Sequence, residues 1–156
     1  MKQIKYFFYI LGIFYIVGVN AMSSFTDFKQ LKRPSSPNYY VVCPKDYCNI
    51  KPDVDSKTYP VSAETLHHLW LKSIKNEPRF KLLHSEKERL EYVQRSFVFR
   101  FPDYVSVYFL DVGNNESRIA LLSRSKYGHS DFGVNKKRVK RLLKNLNKEV
   151  DEHVKK

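Results

Sequence analysis

The stretch from Tyr92 to Ser125 does most to limit how this chain can fold, because its side chains alternate with a period of two. Val93, Phe97, Phe99 and Phe101 fall on one side, and Gln94, Ser96 and Arg100 on the other. That is the pattern of a strand with one buried face, and it predicts a strand over Tyr92 to Phe101. Pro102-Asp103 marks a turn. Tyr104 to Val112 is rich in Tyr, Val and Phe, which suit a pleated, half-buried surface. Gly113-Asn114-Asn115 reads as a hairpin, and Arg118 to Ser125 as the next strand. On that strand Ile119 and Leu121 share a face with Ser123 and Ser125, while Ala120 and Leu122 share the other with Arg124 and Lys126. Arg79 to His84 alternates more weakly and adds a candidate strand.

Two amphipathic helices are expected beside this sheet. Ser62 suits an N-cap with Glu64 in the first turn, and Ala63, Leu66, Leu69, Trp70 and Ile74 recur at helical spacing until Pro78. The second helix runs from about Asn135 to Val150, with Val139, Leu142, Leu143, Leu146 and Val150 as its apolar stripe. Its other face carries Lys136, Lys137, Arg138, Lys140, Arg141, Lys144 and Lys148. The fold class is therefore α+β, a small antiparallel sheet of three to four strands flanked by two helices. A chain of 156 residues bounds this to one domain. The 11 Tyr and 11 Phe are enough for a core, which excludes global disorder.

The N-terminus carries an address. Met1 to Lys5 holds two lysines and no acid, Tyr6 to Val19 is unbroken apolar sequence, and Val19-Asn20-Ala21 suits a signal peptidase. The run is short for a membrane span, which needs roughly 20 apolar residues. Residues 1–21 are expected to be a signal peptide, with an uncleaved anchor over residues 6–19 as the rival reading. Residues 22–38 are expected to be a linker and 39–156 the domain. The expected location is the periplasm or the outer face of a membrane.

Cys43-Pro44-Lys45-Asp46-Tyr47-Cys48 fits a disulfide-closed turn in an oxidising compartment. Free thiols, or a redox or metal pair, are the alternatives. Zinc needs about four ligands, and the adjacent His67 and His68 point about 100° apart on a helix, so no metal site is expected.

Ser123 to Arg138 is the densest run of small, polar and basic residues. Three readings compete for it. In the structural one, Gly128 and Gly133 let the backbone turn, Asp131 or Asn135 caps the last helix, and Ser130 satisfies a loop amide. In the binding one, Arg124, Lys126 and Arg138 converge beside the helix N-terminus, with Ser130, Asp131 and Asn135, to hold an anion. In the enzymatic one, a hydrolase would draw on His129, Ser130 and Asp131. Three consecutive side chains cannot meet at one point, so this reading needs His67, His84 or Asp103 as well. No stretch satisfies a catalytic or cofactor motif, and no cofactor is expected. A net charge of +12 favours anionic partners: a small anion, a lipid headgroup or an acidic protein. An exported chain meets membrane more often than nucleic acid.

Three pieces in this order resemble the uncharacterised family domain of unknown function 1499. They are the turn Cys43 to Asn49, the segment from Pro78-Arg79-Phe80 to Phe99-Arg100-Phe101-Pro102-Asp103, and the run Ser123 to Val139, which is the most specific. The resemblance spans about residues 40–146 and implies an exported or membrane-associated protein, with no established activity. The chain departs from the family pattern in three places. Asp46-Tyr47 replaces the usual step before the second Cys. Lys126 replaces an Arg, losing the bidentate fork. Tyr104, Val105 and Ser106 after Asp103 lack one acid and a Glu.

Overall fold

The structure is a computed structural model that describes residues 25–156. The apolar run over residues 6–19 and the cleavage position after Ala21 lie outside the described residues. The chain forms an α+β fold with one six-stranded sheet. Its strands are β1 (Tyr39–Cys43), β2 (Val54–Asp55), β3 (Phe80–Ser85), β4 (Arg89–Arg95), β5 (Pro102–Gly113) and β6 (Glu116–Ser125). They lie in the order β2-β1-β6-β5-β4-β3. Every pairing is antiparallel except β1 with β2, which is parallel. The sheet is thus larger than the three to four antiparallel strands expected. The additions are β1, which abuts the first cysteine, and β2, two exposed residues with no apolar pattern.

The two helices are α1 (Ala63–Ser73) and α2 (Val134–Val154). Ser62 Oγ accepts from Thr65 N at 3.1 Å, the expected cap. α1 stops at Ile74, ahead of Pro78. Both helices lie on one face of the sheet. There Leu66, Trp70, Leu142 and Leu146 pack with Tyr92, Val107 and Leu121 in the main core. Trp70 is fully buried and donates from Nε1 to the Tyr92 hydroxyl at 3.3 Å. The β5–β6 turn places Asn114 and Asn115 at φ 53° and 58°, the doubly left-handed geometry of a two-residue hairpin.

The other face is covered in part by the N-terminal segment. Phe28 is buried against Val41, Cys43, Ala120 and Leu122. Thr26 N donates to Glu91 Oε1 at 2.9 Å. Cys43 and Cys48 form a disulfide, and Asn49 N, just past it, donates to Phe28 O. Residues 25–38, expected to be a linker, are therefore docked through Thr26 and Phe28. Among the described residues no helix is long and apolar enough to cross a membrane.

The strand expected over Tyr92 to Phe101 ends early. β4 starts at Arg89 and stops at Arg95, and residues 96–101 form a projecting loop instead. Phe97, Phe99 and Phe101 are exposed there, whereas the alternation placed them on a buried face.

His67 stacks on Phe109 with ring centroids 5.0 Å apart, and His68 stacks beside it. Burial first, then the neighbouring His68, hold the His67 pKa below its ordinary value of 6.5. The unfolded chain therefore binds a proton that the folded chain resists, so stability is complete above about 6.5 and declines as pH falls from there towards the lowered folded value. His67→Phe should flatten part of that decline. Melting temperatures of the two proteins, measured across this pH range, check it.

Candidate functional site

The loop that ends β6 and starts α2 is organised from inside by Arg138. Its side chain is buried at the junction of helix and sheet. Nε donates to Gln94 Oε1 on β4 at 2.5 Å. Nη1 donates to Ser123 Oγ on β6 at 2.9 Å and to Asn135 Oδ1 at 2.6 Å. Nη2 forms an ion pair with Asp103 on β5. A planar fork with fixed donor directions suits this four-way contact, and an ammonium does not. Asn135, fully buried, extends the network, giving its amide hydrogens to Asn38 O at 2.8 Å and Ser125 Oγ at 3.0 Å. Asn38 in turn donates to Gly128 O at 2.6 Å.

The loop between these anchors is shaped by Asp131. Its carboxylate accepts from Gly133 N at 2.9 Å and Asn135 N at 2.7 Å, so it caps α2 and compensates the free amides of the first turn. Ser130 Oγ accepts from Phe132 N at 3.3 Å. Phe132 and Gly133 both have left-handed backbones, at φ 51° and 76°. His129 is exposed. Ser130 and Asp131 are engaged with loop amides, and no hydrogen bond joins Ser130 to a histidine among the described residues. No group of three or more His, Cys, Asp or Glu able to hold a metal ion occurs among the described residues.

The residues singled out from sequence divide between the two faces of the sheet. Asn135 and Arg138 sit in the network on the helix side. Arg124 pairs in register with Tyr104 and lies over its ring, on the opposite face. Arg138 therefore does not converge with Arg124 and Lys126. The cause is strand alternation: Ser123 and Ser125 turn towards α2, which sends Arg124 the other way. Lys126 lies beside Tyr127 and Tyr104. A hydrogen bond with the Tyr127 hydroxyl, then the nearby Tyr104, raise its pKa above the ordinary amine value, so it stays cationic.

Two clefts flank the projecting loop. One of about 600 Å³ lies towards α2 and includes Arg79, Arg95, Phe97, Val134 and Lys137 in its lining. The other, about 430 Å³, includes Arg95, Arg100, Phe101, Tyr104, Lys126 and Tyr127. Among the described residues Arg79, Arg95, Arg100, Lys126 and Lys137 make no ion pair, in contrast to Arg138 with Asp103 and Arg141 with Glu77. The sequence reading missed Arg79, Arg95 and Arg100 as site residues, because a continuous strand over residues 92–101 would have spread them along a sheet. The signal was two arginines bracketing an acid-free aromatic run.

Arg138→Met should cost about 3–5 kcal/mol in urea unfolding, because it strands a buried carboxylate at Asp103. Adding Asp103→Leu should recover most of that loss, since both charges are then gone. Asp131→Ala should cost about 1 kcal/mol, the worth of an N-cap.

A family described as Protein of unknown function (DUF1499) matches residues 23–146. No curated protein matches the chain.

Proposed function

The chain belongs to the family described as Protein of unknown function (DUF1499), and we propose from its own residues that it is an exported, non-catalytic module that binds an anionic ligand. The site we assign is the end of the sheet where the loop 123–138 meets the loop 96–101. One observation carries the reading. Five cations gather around the projecting loop without carboxylate partners among the described residues, while the neighbouring buried arginine is fully neutralised. Unpaired cations lining a concave surface raise the local concentration of anions, and guanidinium groups match phosphate or carboxylate in a two-point contact. Lys126 of the loop contributes directly. Arg124 adds charge on the same face as Lys126. Ser130, Asp131, Asn135 and Arg138 set the loop's shape and hold it fixed. Export is supported by the N-terminal lysines and apolar run, and by a disulfide a few residues into the domain.

The test is thermal unfolding of the full chain with inorganic phosphate, glycerol phosphate and acetate. A ligand that binds only the folded state, at about a hundred times its Kd, adds about 2.7 kcal/mol, which is about 5 °C or more for a domain of this size. Arg95→Ala with Lys126→Ala should abolish the shift while leaving the unliganded melting temperature nearly unchanged, because both side chains are exposed. A protein that melts cooperatively and shifts with none of the three anions would overturn the reading.

A further inference from the structure

We propose that the loop between β4 and β5 is a membrane-insertion finger that seats this end of the protein in an anionic bilayer. The inference rests on the anion-binding reading above and names the source of the anions as lipid headgroups.

The loop reads Ser96-Phe97-Val98-Phe99-Arg100-Phe101. Phe97 is 78% exposed, Val98 and Phe99 72% each, and Phe101 53%. Soluble proteins rarely gather that much apolar surface in one place without a partner for it. The loop is a built element. Ser96 N donates to Phe101 O at 2.9 Å, Phe101 N to Ser96 Oγ at 2.9 Å, and Arg95 Nη1 to Arg100 O at 3.2 Å. Arg100 holds a left-handed backbone, φ 58°, which a residue with a side chain adopts at a cost. The apolar surface continues beyond the loop. Phe99 stacks on Phe101 at 5.5 Å, and Phe101 meets the exposed Tyr127 edge-on at 6.3 Å.

Charge selects the partner. Residues 95–101 and 123–130 contain no acid. Arg79 lies over the Phe97 ring at 5.4 Å and Lys126 over Tyr127 at 5.3 Å. Arg95, Arg100 and Lys137 complete a cationic collar in the clefts on both sides. An apolar tip with aromatic and basic residues around its base is complementary to an anionic bilayer, with acyl chains beneath and phosphates at the rim. A second copy of this chain docking on the tip would set collar against collar and be repelled.

The experiment uses the full chain carrying Phe97→Trp, with vesicles of phosphatidylcholine and phosphatidylglycerol whose acyl chains are brominated. Trp70, the one native tryptophan, is fully buried and gives a constant background. Quenching by bromine requires the new indole to lie among acyl chains, so it reports this loop whatever the N-terminal run does. The expected result is about a twofold or larger loss of the new emission, with a blue shift. Replacing Val98 and Phe99 by Ser in the same protein should weaken the quenched population about tenfold or more. Unquenched emission in vesicles that carry the protein overturns the insertion. If glycerol phosphate still raises the melting temperature, the anion site stands and only its membrane assignment falls. If neither occurs, both fall. A blue shift that grows with protein concentration without vesicles would assign the tip to a second copy and overturn the membrane reading.

Discussion

Everything at the functional end of this molecule hangs on one buried guanidinium. Arg138 reaches β4 through Gln94, β5 through Asp103, β6 through Ser123 and its own helix through Asn135. No apolar residue could fix these four elements at defined separations, because dispersion contacts carry no direction. A buried ion pair adds little net stability once desolvation is counted, and its worth lies in geometry. Here that geometry sets where β4 ends, where β5 begins, and therefore where the projecting loop between them emerges.

The loop 123–138 thus separates two tasks that its composition blends together. Inward-facing residues, Ser123, Asn135 and Arg138, hold elements in place. Asp131 spends its carboxylate on the first turn of α2. Outward-facing cations are left without internal partners, and a fixed frame carries them. Rigid support under unpaired charge is what a recognition surface needs, since the ordering cost has already been met during folding.

Much of the architecture was legible because it is written in periodicities. The Ser62 cap, the apolar stripes of both helices, the hairpin at Gly113-Asn114-Asn115 and the inward serines of β6 follow from local rules. The strand β2 was not legible, since its two residues pair through backbone atoms and bury no side chain. Phe97, Phe99 and Phe101 misled because alternation is a necessary mark of a half-buried strand and an insufficient one. Three aromatics two apart look the same whether a sheet or another phase receives them. The split of Arg124 from Arg138 was implicit in the alternation of β6, but the partners of Arg138 lie on three strands. Asp103 and Gln94 stand 35 and 44 positions away, a distance no spacing rule spans.

The position of β1 has a kinetic meaning. It lies between β2 and β6, so the strand nearest the start of the domain finds its main partner only when residues 121–124 are present. Asn38 waits longer still, for Asn135, 97 positions on. Contacts spanning most of a chain demand loop-closure entropy before they return any stabilisation. A nascent chain ending before α2 holds the helix-facing side of its sheet open to solvent, where aggregation competes with folding. A protein wired in this way commits to its structure late and nearly all at once, when its final segment is delivered.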